Sequence, residues 1–141
     1  MDIKIPYTPR KHQAYLHKKI DTHRWNVLVC HRRFGKTVCM INHLIRSALL
    51  SKLNNPRFAY IAPTFKQAKS IAWDYMKQFT AKIPHTKFNE TELRVDLPNG
   101  SRITLLGSES PDGLRGIYLD GCVIDEYANV NSKLFPEIIR P

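Results

Sequence analysis

Acidic residues are scarce at the start of this chain: residues 1–87 hold Asp2, Asp21 and Asp74 and no glutamate, against 17 Lys and Arg, a net of +14. Residues 88–141 reverse the balance, with 5 basic against 9 acidic side chains, which brings the whole to +10. So large a positive field favours a polyanion such as DNA or RNA as partner, the plainer reading being a solvated basic surface. Long apolar runs are missing too. None reaches a membrane span, and residues 1–10 have no signal-peptide core, so the expectation is a soluble intracellular protein with no membrane partner. Cysteine is sparse and odd in number (Cys30, Cys39, Cys122) with no CxxC pair, which argues against a disulfide framework or a zinc site. Cys30 and Cys122 adjoin apolar runs and read as small buried hydrophobes. The six histidines show no ligand spacing and read as surface or cap residues. Repeats, low-complexity tracts and an aromatic-interleaved stripe for stacking single strands are all lacking. At 141 residues the chain is one domain's worth, with enough apolar content for a core.

What is present begins at residues 27–37, Val-Leu-Val-Cys-His-Arg-Arg-Phe-Gly-Lys-Thr, where an apolar run breaks into a cationic loop closed by Gly35-Lys36-Thr37. A phosphate-binding loop needs a strand to hold it, a glycine to curl the backbone, a lysine for the β and γ phosphates and a hydroxyl for Mg²⁺. Residues 27–29 can be the strand, Gly35 the curl, Lys36 the cation and Thr37 the metal contact. The pattern GxxxxGK(S/T) puts its first glycine at position 30, where this chain has Cys30. The bare triplet is a weak signal, but Val38, Met40, Ile41, Leu44, Ile45, Ala48 and Leu49 come after it at helical spacing. An ordinary strand-to-helix turn is the competing reading.

The rest of the pattern is α/β. Pro9 near a first turn, with Ala14, Leu16, His17 and Ile20 as an inner face, predicts a helix after Tyr7. The phosphate-loop helix should run to about Leu53, ended by Asn54-Asn55-Pro56. A strand at 58–62 comes next, then an amphipathic helix over 65–82 with Ala68, Ile71, Ala72, Tyr75, Met76 and Phe79 inward. This alternation argues for a parallel sheet of βαβ units. Leu93, Val95 and Leu97, the turn Pro98-Asn99-Gly100, then Ile103 and Leu105 predict a hairpin added at a sheet edge. A loop over 107–116 leads to Gly121-Cys-Val-Ile-Asp125-Glu126, an apolar strand ending in two carboxylates, and a helix should begin after Asn129 or Asn131. In such a pair Asp125 can hold Mg²⁺ through water and Glu126 can polarise an attacking water. A solvated turn is the bland alternative. Ligands of open parallel sheets lie at the carboxyl ends of strands, where both motifs sit.

With these residues assembled, the chain resembles the N-terminal ATPase domain of the large terminase subunit, the DNA-packaging motor of tailed bacteriophages, over nearly its whole length. The family carries a deviant Walker A motif with an early arginine and often no first glycine, which His31-Arg32-Arg33-Phe34-Gly35-Lys36-Thr37 matches. Tyr7-Thr-Pro-Arg10-Lys-His-Gln13 resembles its adenine-recognition motif and Tyr60-Ile-Ala-Pro-Thr64 its second strand. Leu114-Arg115-Gly116 resembles a short element before Walker B, and Cys122-Val-Ile-Asp125-Glu126-Tyr-Ala resembles Walker B with its catalytic glutamate. The paired Walker motifs specify an ATPase strongly. The arginine-bearing loop and the Leu-Arg-Gly element carry the narrower likeness.

The resemblance implies a P-loop NTPase of the RecA/ASCE-like class: a mostly parallel sheet flanked by helices, with an added β-hairpin. It implies ATP and Mg²⁺ as ligands, with Arg10, Gln13, His31, Arg32, Arg33, Phe34, Gly35, Lys36 and Thr37 around the nucleotide. Thr37 and Asp125 would hold the metal, and Glu126 and Arg32 would be catalytic. For Gln13 a helix-capping turn is the alternative, and for Arg32 a contact to DNA phosphate. Arg94, Arg102 and Arg115 are candidates for an arginine donated to a neighbouring subunit, or plain surface charges. Implied partners are double-stranded DNA, the portal protein, the small terminase subunit and other copies in a ring, in the host cytoplasm and transiently at the procapsid portal. In that fold a strand after Walker B lies between the Walker A and Walker B strands, and no apolar strand comes after Glu126 here. The expectation is therefore the N-terminal part of an ATPase domain, truncated, without the rest of that domain or the RNase H-like nuclease. The reading is ATP-driven packaging of DNA into a procapsid. Its alternatives are a helicase-like translocase and a truncated nucleotide- or DNA-binding module without turnover; a small-molecule kinase would not need the basic region.

Overall fold

The run Arg57–Ala62 forms the strand around which the chain is organised (β1), and every residue past Arg57 in it is buried, as befits a strand covered on both faces. In the computed structural model, which describes residues 4–30, 35–109 and 114–139, four further strands join it. They are β2 (Lys87–Asn89), β3 (Arg94–Asp96), β4 (Arg102–Gly107) and β5 (Gly121–Ile124), in the sheet order β2-β3-β4-β1-β5. β1 runs parallel to β4 and to β5, whereas β3 pairs antiparallel with both β2 and β4. The expected α/β fold, a sheet flanked by helices with an added hairpin, is thus present, and among the described residues the expected mostly parallel sheet has two parallel and two antiparallel pairings. The hairpin is built into the sheet rather than appended to it: β4 is also the parallel neighbour of β1, from Arg57↔Arg102 to Ala62↔Gly107, and β2 takes the edge.

Helices α1 (Lys11–Ile20), α2 (Lys36–Leu50), α3 (Phe65–Ala68) and α4 (Asp74–Thr80) complete the frame, with a π-helical stretch, Lys69–Trp73, joining α3 to α4. Side chains of β1 alternate between two apolar clusters, as the pleat requires. Phe58, Tyr60 and Ala62 meet Ile41, Leu44, Ile45 and Ala48 of α2 and Ala72, Trp73, Met76 and Phe79 of the α3–α4 run. Ala59 and Ile61 face the other way, onto Leu134, Leu106 and Ile124. That second face is covered by the segment after β5, which holds a 3-10 turn (Tyr127–Asn129) and a π-helix (Leu134–Ile139), so the helix expected after Asn129 or Asn131 is present in π form.

The π-helical stretch corrects the sequence reading of the 65–82 helix. An uninterrupted 3.6-residue period turns Ile71 and Tyr75 inward, yet they are 39% and 40% exposed, while Trp73 is 2% exposed and belongs to the core. A π turn takes in an extra residue and so rotates the face beyond it. The Trp73 indole N–H then finds the Glu90 carboxylate at 2.6 Å. In α1 the inner face is likewise shifted, with Gln13 buried and Ala14 exposed.

The predicted strand at 27–29 is not formed. Those residues carry no sheet pairing, and Val27 and Val29 are 90% and 95% exposed. A strand needs a neighbour to take its backbone N–H and C=O groups. Among the described residues nothing pairs the outer side of β5, and the segment after β5 is built of 3-10 and π turns, so no strand bridges from β5 to residues 27–29.

Candidate active site

Lys36 and Thr37 open α2, and Gly35 is its N-cap with φ 80°, the left-handed region that glycine adopts without strain. A second constraint falls on the same position. A Cβ at Gly35 would collide with the Arg10 guanidinium and stand 2.8 Å from Gln13 Nε2. Both residues of the adenine-type motif are therefore packed on the loop's end. Gln13 is 4% exposed and its amide is used twice: Nε2 donates to the Gly35 carbonyl at 3.0 Å, and Oε1 accepts from the Arg10 backbone N–H at 2.9 Å. The Gly35 carbonyl also accepts from Cys39 N at 3.0 Å, the first bond of α2. The capping turn weighed for Gln13 is thus present, and the same side chain also holds the end of the phosphate loop.

The carboxylates arrive from β5. Asp125 N donates to the Ile61 carbonyl at 2.9 Å, carrying the β1–β5 ladder one residue past the strand. That fixes the Asp125 side chain beneath α2. Its Oδ2 accepts from the Thr37 hydroxyl at 3.0 Å and from the Tyr60 hydroxyl at 2.5 Å, while Oδ1 accepts from Glu126 N at 2.9 Å. Glu126 then takes the left-handed region (φ 51°), which costs a non-glycine about 1–2 kcal/mol, and its carboxylate stands 3.6 Å from Lys36 Nζ. A cavity of about 360 Å³ opens here, lined by Cys30, Gly35, Lys36, Thr37, Val38, Ile71, Tyr75 and Glu126. Ile71 and Tyr75, turned out of the core by the π stretch, thus become part of the site, and no local motif could have announced them.

Two further groups were missed from sequence. Tyr60 is fully buried, and burial first, then the hydrogen bond and charge of Asp125, push its phenol far above the ordinary tyrosine value, so at neutral pH it is a donor. His43, read as a surface or cap residue, and His17, read both so and as part of the first helix's inner face, are stacked, with ring centroids 5.1 Å apart and Nδ1 atoms 2.9 Å apart. Tyr7 OH lies 2.9 Å from His17 Nε2, Cys39 Sγ 3.6 Å from the same nitrogen, and Asp21 3.6 Å from His43 Nε2. Burial is the main cause that lowers both imidazole pKa values. The pair ties α1 to α2, and with them the adenine-type motif to the phosphate-loop helix. Of the cysteines, Cys39 is the fully buried one, whereas Cys30 and Cys122 are half-buried.

His31, Arg32, Arg33 and Phe34 lie outside the described residues. The three arginines considered for action on a neighbour each make an ion pair within the chain: Arg94 with Glu92 at 2.5 Å, Arg102 with Asp96 at 2.7 Å and Arg115 with Glu137 at 3.2 Å. The Thr37 hydroxyl and Asp125 carboxylate form a small all-oxygen donor set, which suits Mg²⁺, an ion that keeps several of its waters. No described helix is long and apolar enough to cross a membrane.

The family model described as terminase large subunit, T4likevirus-type, N-terminal, matches residues 29–137. Among solved structures, a variant of the large terminase ATPase domain of Thermus phage P74-26 is similar over 97% of this chain and 61% of its own, at 22% identity and a TM-score of 0.76. The large terminase of a second, thermophilic bacteriophage matches over 88% of this chain and 34% of its own, at 18% identity and a TM-score of 0.71. The terminase of that same thermophilic phage in complex with ADP matches over 73% and 27%, at 22% identity and a TM-score of 0.62. This chain therefore spans about three fifths of the ATPase domain and about a third of the longer protein. No curated protein matches the sequence.

Proposed function

We infer the function from a premise of kinship: the chain belongs to the large terminase subunits, T4likevirus-type, and matches their N-terminal part over residues 29–137. The reading is an ATPase that hydrolyses ATP to move double-stranded DNA into a procapsid. One observation carries it: two motifs far apart in sequence converge on one cavity, Lys36 against Glu126 at 3.6 Å and Thr37 against Asp125 at 3.0 Å. Such a convergence at the mouth of a parallel sheet and the N-terminus of a helix is what phosphate binding requires.

The roles follow from position. Lys36 neutralises the β and γ phosphates and, on binding them, exchanges its Glu126 partner for phosphate oxygens. Glu126, released, accepts a hydrogen bond from the attacking water and polarises it. Thr37 and Asp125 would hold Mg²⁺, which would supply positive charge against the charge that develops on the phosphate. Arg10 and Gln13, packed on Gly35, hold the end of the loop, and the reading of an adenine edge by Gln13 is assigned by the family pattern alone. Arg32 is assigned to the γ-phosphate by the family pattern alone. The +14 balance of residues 1–87 supports a DNA partner. Portal protein, small terminase subunit, ring assembly and a place at the procapsid portal in the host cytoplasm rest on the family. The terminase of the thermophilic phage was solved with ADP, which supports nucleotide as the ligand.

A second reading, nucleotide binding without turnover, draws on one fact: residues 27–29, which lead into the loop, have no sheet partner. The binding half of the proposal is tested by calorimetry with ATP and Mg²⁺. Lys36→Ala should abolish the binding that the parent chain shows, and equal affinities would refute the assignment of Lys36.

A further inference from the structure

Tyr60 has no place in the roles above, yet its hydroxyl makes one of the shortest contacts in the site, 2.5 Å to Asp125 Oδ2. We infer that Tyr60 is a positioning residue for the Mg²⁺ site: it orients the Asp125 carboxylate from below and so sets the affinity of the nucleotide site for the metal. The inference rests on the ATPase reading and adds a residue to which that reading gives no task.

Strand register brings the two residues together. β1 and β5 are parallel neighbours with Tyr60 opposite Val123 and Ile61 opposite Ile124. Tyr60 faces the α2 side of the sheet, where Ile41, Leu44 and Ile45 lie, and is fully buried. From there the ring spans the layer between sheet and helix and brings its hydroxyl to Asp125. A buried tyrosine hydroxyl requires a partner, and this one takes the oxygen that Thr37 also uses.

The hydrogen count makes the arrangement compatible with a bound cation. Thr37 has one O–H, given to Asp125, and its lone pairs stay available to a metal. Asp125 has one oxygen held by Tyr60 and Thr37 and the other by Glu126 N. Without Tyr60, the carboxylate would be aimed by a threonine that itself must serve the metal and by a backbone N–H in a strained turn. Groups that hydrogen-bond a metal-binding carboxylate from behind commonly change metal affinity about 10–100-fold when removed.

The test is a Mg²⁺ titration of ATP binding by the whole chain, read with a fluorescent ATP analogue, for the parent, Tyr60→Phe and Asp125→Asn. Tyr60→Phe keeps the ring in the core, and its affinity for the analogue without metal reports an intact phosphate loop. The expected result is an unchanged metal-free affinity, with the Mg²⁺ concentration at half-effect raised about 10-fold or more in Tyr60→Phe, and the Mg²⁺ response lost in Asp125→Asn. A Tyr60→Phe titration that overlays the parent while Asp125→Asn loses its response would overturn the inference and leave the ATPase reading standing. A metal-free affinity that falls in Tyr60→Phe, with an unshifted Mg²⁺ midpoint, would make Tyr60 a core residue alone and overturn it as well. An Asp125→Asn chain that responds like the parent, or a parent with no response to Mg²⁺, would remove the metal assignment and the inference together.

Discussion

The hydroxyl of Thr37 hydrogen-bonds the carboxylate of Asp125 at 3.0 Å across 88 residues of sequence. The contact joins the N-terminus of α2 to the end of β5 without any ligand, so part of the site is built by the fold itself. Asp125→Ala should therefore cost stability as well as function. It leaves the buried Tyr60 hydroxyl without an acceptor, a loss of about 1–3 kcal/mol, whereas Glu126→Ala, which breaks a half-exposed ion pair, should change stability by less than about 1 kcal/mol. Urea unfolding of the two variants measures both, and an Asp125→Ala chain as stable as the parent would contradict the account.

Gly35→Ala meets two obstacles at once, a φ of 80° and the Arg10 guanidinium lying where the new methyl would go. The expected loss is about 1–3 kcal/mol of stability, together with weaker nucleotide binding, since the Gln13 clamp on the loop is displaced. Thermal unfolding and ATP titration of this variant would show both changes. Retention of both properties would mean that the clamp is not formed in solution.

The π stretch gives opposite forecasts for two neighbours. Trp73→Ala, in the core, should cost about 3–5 kcal/mol, and Ile71→Ala, half-exposed on the cavity, about 1 kcal/mol or less. Denaturant midpoints for the pair would reveal a continuous α-helix if the order were reversed.

Much of this fold was legible because it is local. The 58–62 strand, the helix after Thr37 and the turn at Pro98-Asn99-Gly100 arise from apolar runs and turn residues that need no knowledge of the partner. The convergence of Lys36 and Thr37 with Asp125 and Glu126 was legible for a different reason, the fixed chemistry of phosphate sites. The features that escaped depended on tertiary context. Residues 27–29 have strand propensity but no neighbour, and propensity without a ladder does not make a strand. Trp73 was left out of the predicted inner face because one extra residue in a helix cannot be seen in its periodicity. His17 and His43 lie on different helices, so neither one's spacing announces the other, and Tyr60 sits in an apolar strand where its hydroxyl looks incidental.

The histidine pair predicts a pH dependence of stability. Both imidazoles have their pKa values lowered in the folded chain, by burial first, and beyond that by each other for His17 and by Arg46 for both, with Asp21 opposing. Tyr7 and Cys39 are the other titratable groups in contact, and burial raises both of theirs. For a base lowered on folding, the unfolded chain takes up protons first. Stability is therefore full above the ordinary histidine value of about 6.5 and falls as pH drops below it. Unfolding free energies measured from pH 8 down to about 5 should decline, and His43→Asn should flatten that decline. A profile unchanged by the substitution would place the proton uptake elsewhere.

ATP turnover is read from steady-state phosphate release in Mg²⁺, with and without double-stranded DNA. The parent chain should release phosphate, while Glu126→Gln should bind ATP with parental affinity and turn it over at least about 100-fold more slowly. A parent rate no higher than that of Lys36→Ala would mean that the chain does not turn ATP over, and a Glu126→Gln chain hydrolysing at the parental rate would rule out Glu126 as the water-polarising residue.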